Sequence, residues 1–483
     1  MNPPSPHSRT PTDASTPPSL LQVAHLPITD FPPAISIPPI TRPFDVTITP
    51  PGSKSLTNRA LLLASLASGR STLRRPLLDA DDARRMQTAI TALGARLTPL
   101  AGGDLAVDGV GGAWPITGEH TLDLGNAGTA TRFLAAASLL APPGTSIVID
   151  GNERMRQRPI GELLTALRSL GATVEPLGAL GCPPLRVRPP HDRSVFADSL
   201  TFGTTASSQF ISAVLLIAPW LPRGLTVRFA PGSLVTSEPY IAMTIGLMRQ
   251  LGLSVSGPAS GPISVSPFTP GTGLAGFDLA IEPDASSASY FLAAAAMCPG
   301  STATVTGLNE QSLQGDAAFI TVMDGMGPMV DSGDSSIGVT GSTRLRACHV
   351  DLADMPDTAM TLAAMCMVAT GQSTIRGLRT LRVKETDRLA ALACELSKLG
   401  ATVEITRQGH DEGLRISPPA TESGDKGNWA LNRPVRLDTY DDHRMAMALA
   451  LIGLRRPGVV INNPACVAKT YPTFWADLRR LYP

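Results

Sequence analysis

A motif that recurs six times constrains the fold of this chain more than any other feature. Each copy is an apolar helical stretch, a glycine and a short β-branched strand; the glycines are Gly69, Gly144, Gly224, Gly300, Gly371 and Gly458. Their intervals are 75, 80, 76, 71 and 87 residues. A second motif, a helix that ends in Leu-Gly or Met-Gly before a strand, recurs at nearly the same period, with glycines at Gly94, Gly171, Gly252, Gly327 and Gly400. Glycine suits the left-handed position that ends many helices.

Each unit therefore predicts the order strand–helix–strand–helix–strand–strand. Units of about 75 residues are too long for tetratricopeptide or ankyrin repeats. The chain has 483 residues, more than the ~250–300 at which a single hydrophobic core stops growing. We predict an α/β protein in which six βαβαββ repeats form two domains of three. An open solenoid with a passive concave surface is the alternative.

Composition excludes several classes of protein. Lys+Arg and Asp+Glu number 40 each, and aromatic residues make up 4%, so a bulk nucleic-acid binder or a polybasic membrane protein is not expected. The longest apolar runs are shorter than the ~18 residues of a spanning helix. The six cysteines form no C-x-x-C pair and the seven histidines no H-x-x-x-H pair. We expect no disulfide framework, no metal and no cofactor.

The N-terminal segment has a different composition. Residues 1–43 contain 12 prolines and many Ser and Thr residues, which predicts a disordered tail. The segment has no signal-peptide layout. We therefore expect a cytoplasmic protein, and balanced charge without a long coiled-coil pattern predicts a monomer.

Polar residues begin the predicted helices in unit after unit. N-capping explains Ser, Asp and Asn at such positions, but not Lys54, Arg59 or Arg444, because cations there oppose the helix dipole. Similar cationic starts occur at Arg154–Pro159, at Lys384–Arg388 and at Lys469. Helix N-termini combined with Lys and Arg form anion sites. Several of them in one cleft predict a ligand with more than one anionic group.

These starts resemble the enolpyruvyl transferase family. The matching stretches are Pro51-Gly52-Ser53-Lys54-Ser55 with Asn58-Arg59, Gly125–Ala130, Arg154-Met155 with Arg158–Gly161, Ser207–Phe210, Asp284–Tyr290, Arg382–Arg388 and Asp442–Met447. The resemblance runs from about residue 44 to the end. It implies a two-domain inside-out α/β barrel: 44–53 plus 282–483 form one domain, 54–281 form the other, and the active site lies in the cleft between them. The chain would cross between domains near Ser53 and Glu282.

The resemblance also implies a reaction. In the branch of the family with these motifs, the enolpyruvyl group of phosphoenolpyruvate passes to the 5-hydroxyl of shikimate 3-phosphate, a step in aromatic amino acid biosynthesis. The implied catalytic residues are Asp357 as base, Glu385 as acid, and Lys54. The implied shikimate 3-phosphate contacts are Lys54, Ser55, Arg59, Ser207, Ser208, Gln209, Ser237, Asp357, Thr380 and Lys384. The implied phosphoenolpyruvate contacts are Lys54, Asn126, Gly128, Arg154, Gln209, Arg388, Arg444 and Lys469.

Two alternatives stay open. A sister enzyme of the family acts on UDP-N-acetylglucosamine and typically uses a loop cysteine near the Arg154–Pro159 region, but this chain has no cysteine before Cys182. An inactive scaffold that binds an anionic metabolite is the other, and intact Asp357 and Glu385 argue against it. Three places depart from the family pattern: Thr380 stands where Asn is usual, Phe133 where Pro is usual, and Asn152-Glu153 where Glu-Pro is usual before Arg154. Gly128 predicts inhibition by glyphosate, which resembles phosphoenolpyruvate in presenting a carboxylate and a phosphonate.

Overall fold

A computed structural model describes residues 16–419 and 434–483. Within these ranges the strands are β1 (Ala34–Ile37), β2 (Asp45–Ile48), β3 (Ser68–Arg74), β4 (Arg96–Pro99), β5 (Leu105–Val110), β6 (Glu119–Asp123), β7 (Ser146–Asp150), β8 (Thr173–Pro176), β9 (Leu185–Arg188), β10 (Ser199–Phe202), β11 (Leu225–Phe229), β12 (Val255–Ser256), β13 (Ile263–Val265), β14 (Asp278–Ala280), β15 (Thr302–Thr306), β16 (Met329–Ser332), β17 (Ser336–Thr340), β18 (His349–Asp351), β19 (Ser373–Arg376), β20 (Thr402–Gln408), β21 (Asp411–Ser417), β22 (Val435–Leu437) and β23 (Val459–Asn462).

The α-helices of the same ranges are α1 (Leu20–Val23), α2 (Lys54–Leu66), α3 (Asp81–Ala92), α4 (Gly128–Ala137), α5 (Gly161–Ser169), α6 (Gln209–Ile217), α7 (Glu238–Gln250), α8 (Ala285–Met297), α9 (Phe319–Met326), α10 (Ala359–Cys366), α11 (Arg388–Lys398), α12 (His443–Gly453) and α13 (Phe474–Arg479). Short 3-10 helices connect several of them. No helix in the described ranges is both long and apolar enough to cross a membrane.

The strands form mixed sheets that share one plan. In the sheet β6-β7-β9-β8, β6 and β7 are parallel, whereas β9 runs antiparallel to both β7 and β8. The sheets β10-β11-β13-β12 and β18-β19-β21-β20 repeat this arrangement. In each of the three segments the chain follows the predicted order of strand, helix, strand, helix, strand, strand. Gly327, with φ of 112°, ends α9 in the left-handed conformation that the second motif predicts.

Two further sheets take their first strand from a distant part of the chain. β14 pairs in parallel with β3, and β2 pairs in parallel with β15. The segments that lead to these strands lie side by side: Ser53 N–H donates to Glu282 O at 2.8 Å, and Asp284 N–H donates to Pro51 O at 2.8 Å. The segments around Ser53 and Glu282, where the family resemblance predicts the crossings between domains, are thus hydrogen-bonded neighbours.

The prediction of a disordered tail over residues 1–43 is wrong for residues 16–43; residues 1–15 lie outside the described ranges. β1 pairs antiparallel with β23, in the sheet β1-β23-β22. Leu20 and Ile35 are fully buried, and the ring of Phe31 stacks on that of Trp475 with centroids 6.4 Å apart. The prolines flank β1 rather than interrupt it, so the backbone of β1 remains free to pair with β23.

Two hydrophobic clusters of buried side chains organise the molecule. The first contains residues from 20–48 and 285–481, and the second contains residues from 56–281. Helices α8 and α12 are buried along their whole length in the first cluster, and α4 is buried along its whole length in the second. A helix that is apolar on every face belongs inside a core. The polar residues at the starts of α8 and α12, such as Ser286 and Arg444, are buried as well.

Candidate active site

A cleft of about 620 Å³, a volume that includes open solvent, is lined by residues from two parts of the chain, one between positions 54 and 240 and the other between positions 357 and 444. Most of the predicted site residues border it, together with four for which the sequence predicted no substrate contact. The lining residues are Lys54, Ser55, Gly128, Thr129, Arg158, Ala206, Ser207, Ser208, Gln209, Ser237, Tyr240, Asp357, Thr380, Lys384, Glu385, Arg388 and Arg444. The residues come from helix starts that are up to 390 positions apart in the chain (Lys54 to Arg444), and the fold brings them together.

Helix starts of the second cluster form one wall. Ser53 caps α2, its Oγ accepting a hydrogen bond from Leu56 N–H, so Lys54 and Ser55 stand in the first turn. Gly128 begins α4 and Gln209 begins α6. The Gln209 side chain donates to Thr129 Oγ1 at 3.2 Å, which links the starts of α4 and α6. The wall therefore offers backbone N–H groups and hydroxyls, which are anion-binding groups.

Helix starts of the first cluster form the opposite wall. Asp442 caps α12, accepting from Arg444 N–H at 2.9 Å, and it also accepts from Arg388 Nε at 2.7 Å. Arg388 additionally contacts Asp357 Oδ1 at 3.1 Å and Glu385 Oε2 at 2.9 Å. Three carboxylates thus offset the cost of placing a buried cation at the start of α11. They raise the pKa of Arg388 above its ordinary value in spite of burial.

Asp357, the predicted base, faces three cations. Arg444 Nη2 lies 3.0 Å from Oδ2, and Oδ1 is 3.1 Å from Arg388 Nη1 and 3.6 Å from Lys384 Nζ. Burial alone would raise the pKa of Asp357, but the positive charges of Arg444, Lys384 and Arg388 outweigh burial and hold it well below its ordinary value. The carboxyl is therefore ionised at neutral pH, the state that a proton acceptor requires.

Glu385, the predicted acid, has a similar environment. Its Oε2 lies 2.9 Å from Arg388 Nη2, and its Oε1 lies 3.1 Å from Lys469 Nζ and 3.9 Å from Arg158 Nη1. Burial raises the pKa of Glu385, but the charges of Lys469, Arg388 and Arg158 together lower it well below the ordinary value. The carboxyl is thus ionised while these cations face it.

Four predicted site residues do not line the cavity. Arg59 is buried and donates to Thr244 Oγ1 at 2.8 Å and to Ser55 O at 2.9 Å. Arg154 reaches across the cleft, and its Nη2 donates to Lys384 O at 2.8 Å. The other two contact each other, with Lys469 Nζ donating to Asn126 O at 2.9 Å. Arg59 lies behind the cavity lining, whereas Arg154 and the Lys469–Asn126 pair join the two walls.

Two of the departures from the family pattern, Thr380 and Phe133, lie in or near the cavity. Thr380 is 7% exposed and lines the cavity, and its hydroxyl has no hydrogen-bond partner among the described residues. Phe133 is fully buried, and the Arg59 guanidinium carbon lies 5.2 Å from its ring centroid. Phe133 therefore packs in the core of the second cluster under Arg59, and Thr380 leaves a hydroxyl available to a ligand.

Sequence reasoning missed several residues that shape the site. Arg158 lines the cavity beside Glu385, and Tyr240 OH lies 3.3 Å from Asp357 Oδ2. Asp82 is 1% exposed, and its carboxylate lies 3.2 Å from Lys54 Nζ and 3.8 Å from Lys469 Nζ. Arg158 lies within a motif that matches the family, so the sequence could have identified it as a site residue. Asp82 resembles an ordinary acidic residue in the first turn of a helix, and only the tertiary structure shows its contacts.

Comparisons with known proteins show the family to which this chain belongs. The sequence model of the family EPSP synthase (3-phosphoshikimate 1-carboxyvinyltransferase) matches residues 40–478. The chain is 42% identical over 454 residues to the 3-phosphoshikimate 1-carboxyvinyltransferases of Escherichia coli O139:H28 and Shigella boydii serotype 18, covering 93% of this chain and 99% of each relative. It is also similar to the structure of EPSP synthase from Acinetobacter baumannii, with a TM-score of 0.70, 25% identity, and coverage of 91% of this chain and 96% of that one. This chain belongs to the EPSP synthase family.

Proposed function

We propose that this chain transfers the enolpyruvyl group of phosphoenolpyruvate to the 5-hydroxyl of shikimate 3-phosphate and releases inorganic phosphate. The observation that carries the proposal is the pairing of Asp357 and Glu385 with cations on the cavity wall. Arg388 contacts both carboxylates, at 3.1 Å and 2.9 Å. A polyanionic substrate can bind the same cations and so alter the proton affinity of the two carboxylates.

The walls suggest where each substrate binds. The hydroxyls of Ser207, Ser208 and Ser237 form a neutral donor cluster that suits the 3-phosphate of shikimate 3-phosphate. The carboxylate of that substrate lies near Ser55, and Arg59 supports Ser55 from behind through the 2.9 Å contact with its carbonyl oxygen. The ring hydroxyls face Gln209, Asp357, Thr380 and Lys384. Phosphoenolpyruvate lies among the cations, with contacts to Lys54, Gly128, Arg388, Arg444 and Lys469, while Arg154 and Asn126 hold the surrounding layer.

In the first step Asp357 accepts the proton of the 5-hydroxyl, and the oxygen bonds to C2 of phosphoenolpyruvate. Glu385 donates a proton to C3, so that the methylene becomes a methyl group and a tetrahedral ketal forms. In the second step the C–O bond to phosphate breaks with its electron pair going to the phosphate oxygen, and one methyl proton returns to Glu385 as the C=C bond re-forms. The proton held by Asp357 passes to the departing phosphate, which leaves as hydrogen phosphate. The lysine and arginine side chains neutralise the departing phosphate, and such preorganised charge carries much of the rate in reactions of this kind.

Glu385 must be protonated to act as an acid, and substrate binding favours its protonation. The charges of Lys469, Arg388 and Arg158 hold the pKa of Glu385 low. When the phosphate and carboxylate of phosphoenolpyruvate pair with these cations, their effect on Glu385 weakens and burial raises its pKa. Glu385 then takes up a proton from solvent as the ternary complex forms. The cations that face Asp357 also pair with the substrate anions, so their effect on its carboxylate weakens and Asp357 becomes a stronger base.

We infer a finer architecture as well. The six sheets support six βαβαββ repeats arranged as an inside-out α/β barrel, three repeats in each domain. The two hydrophobic clusters support one domain made of residues 16–53 and 282–483 and another made of residues 54–281. The first domain thus begins earlier than the sequence indicated, because the strand Ala34–Ile37 belongs to its last sheet. A cytoplasmic monomer that acts on small molecules, binding neither nucleic acid nor membrane, fits this architecture.

The test is release of inorganic phosphate from phosphoenolpyruvate in the presence of shikimate 3-phosphate. We expect phosphate and 5-enolpyruvylshikimate 3-phosphate in equal amounts. Replacing the acceptor by UDP-N-acetylglucosamine tests the sister activity, and Glu385→Gln serves as the matched inactive control. Turnover with UDP-N-acetylglucosamine alone, or binding of shikimate 3-phosphate without turnover, would reject the proposed reaction.

A further inference from the structure

A second buried carboxyl lies behind Asp357, and the mechanism above does not use it. Asp316 belongs to the 3-10 helix Gly315–Ala318 and is 4% exposed. Among the residues that the structure describes, it forms no ion pair, in contrast to the three cations that face Asp357. Burying a carboxylate without a cation is costly, so such a group tends to hold a proton.

One hydroxyl connects the two carboxyls. Tyr240 OH lies 3.3 Å from Oδ1 and 3.4 Å from Oδ2 of Asp316, and 3.3 Å from Oδ2 of Asp357. A tyrosine hydroxyl has one proton and can donate it to only one of these acceptors. Ser286 Oγ donates a further hydrogen bond to Asp316 Oδ2. The position of the Tyr240 proton therefore depends on whether Asp316 is protonated.

The groups that face Asp316 determine which of Asp316, Tyr240 and Asp357 titrates. They are Tyr240 on α7, Asp284 and Ser286 at the start of α8, Asp357, and Arg444 on α12. Burial, and next the charge of Asp357, raise the pKa of Asp316 to about 6, while Ser286 and Arg444 act in the opposite direction. The pKa of Asp357 stays well below its ordinary value, and burial raises that of Tyr240 well above its own. Near pH 6 the group that gains or loses a proton is therefore Asp316.

We propose that Asp316 is a positioning residue that directs the Tyr240 proton and thereby sets the strength of Asp357 as the base. When Asp316 is protonated, its O–H donates to the Tyr240 oxygen and the Tyr240 proton turns to Asp357, which weakens that carboxylate as an acceptor. When Asp316 is ionised, it competes for the Tyr240 proton and leaves Asp357 free to accept the proton of the 5-hydroxyl. This inference rests on the proposed function, since it assigns a partner to the proposed base.

The sign of the pH dependence follows from this arrangement. Ionised Asp316 is the active form, so kcat/KM falls as the pH drops through about 6. Asp316→Asn imitates the protonated form at every pH, because the amide N–H donates to the Tyr240 oxygen. We expect this variant to lose about tenfold in kcat/KM at pH 8, the size of one redistributed charged hydrogen bond. The loss should shrink toward none at pH 5.

The experiment measures the ratio of kcat/KM of Asp316→Asn to that of the full-length wild-type protein between pH 5 and pH 9. The ionisation of the substrates affects both proteins equally and cancels in the ratio. Repeating the substitution in a Tyr240→Phe background gives a double-mutant cycle. We expect Asp316→Asn to have little effect there, because its route to Asp357 is gone.

Two results would overturn the inference: a ratio that stays constant with pH, or a full effect of Asp316→Asn in the Tyr240→Phe background. If Asp316→Asn does not fold, Ser286→Ala provides the test. Loss of this donor raises the pKa of Asp316, so activity should match that of the wild type at pH 9 and decline at higher pH values than in the wild type. An unshifted profile would again reject the inference. Absence of turnover in the wild-type protein at pH 8 would count against the proposed function instead.

Discussion

The N-terminal segment offers a strong test of the structure, because two adjacent leucines have opposite environments. Leu20 is fully buried in the first hydrophobic cluster, whereas Leu21 is 41% exposed. Both belong to the helix Leu20–Val23. Leu20→Ala and Leu21→Ala therefore remove the same atoms from the same helical turn, and the difference between the variants isolates the effect of burial.

The expected magnitudes follow from this burial. Removing a fully buried leucine side chain costs about 2–5 kcal/mol, whereas a surface change typically stays within about 0.5 kcal/mol. Changes in helix propensity are nearly equal for the two substitutions and cancel in the comparison. A loss of about 2 kcal/mol in the local opening free energy corresponds to roughly 30-fold faster amide exchange.

Hydrogen exchange read by mass spectrometry is the assay, because it reports on the affected segment directly. β1 pairs with residues Val459–Asn462, and this strand leads into the 3-10 helix Pro464–Lys469 that carries Lys469. We expect Leu20→Ala to accelerate exchange in both strands and Leu21→Ala to leave it unchanged. Equal rates in the two variants, or wild-type amides of β1 that exchange as fast as a free peptide, would refute the packing described for this segment.

Three further predictions concern the site. Glu385→Gln and Asp357→Ala should each reduce turnover by about 10²–10⁴-fold with an unchanged circular dichroism spectrum; turnover close to wild type would remove the assigned role. Asp82→Asn should lower the free energy of unfolding by about 3 kcal/mol, because Lys54 loses its carboxylate partner and Lys469 keeps only Glu385 among the carboxylates of the described ranges. The matched control Asp81→Asn changes a half-exposed neighbour and should lower the free energy of unfolding far less, as measured by urea titration. Gly128→Ala places a methyl group 2.8 Å from the buried guanidinium of Arg158. The substitution should weaken the binding of glyphosate at least about tenfold and that of phosphoenolpyruvate less, as measured by initial rates at several phosphoenolpyruvate concentrations. An unchanged inhibition constant would contradict the predicted binding position.

Much of the fold could be predicted because its signals are local. A glycine such as Gly327 ends a helix through its own backbone conformation, and a helix such as α12 shows by its apolar sequence that it is buried on every face. The motifs recur because each unit repeats the same local requirements. The polar helix starts were likewise visible in the sequence, and the cavity is lined by most of the residues that they supply.

The missed features depend on contacts between distant parts of the chain. Ala34–Ile37 resembled a disordered segment because its composition was averaged with the surrounding prolines, and its partner strand lies more than 400 residues away. Asp82 lies in the first turn of α3 and Asp316 in the 3-10 helix Gly315–Ala318, where acidic residues are common, so their sequence context suggested nothing unusual. Only the packing shows that Asp82 lies between two lysines and that Asp316 shares a tyrosine hydroxyl with Asp357, the proposed base.

The contacts between the two walls place a further demand on the ligand. Lys469 from one wall donates to the Asn126 carbonyl oxygen of the other, and Arg154 donates in the reverse direction to Lys384 O. The cations of the cavity also have carboxylate partners already. A ligand must therefore replace existing ion pairs and gains only the difference between the new contacts and the old ones. A ligand with one anionic group can replace few of them, whereas two substrates that together carry two phosphates and two carboxylates can replace most. Selectivity for that pair of substrates thus follows from how completely the site pairs its own charges.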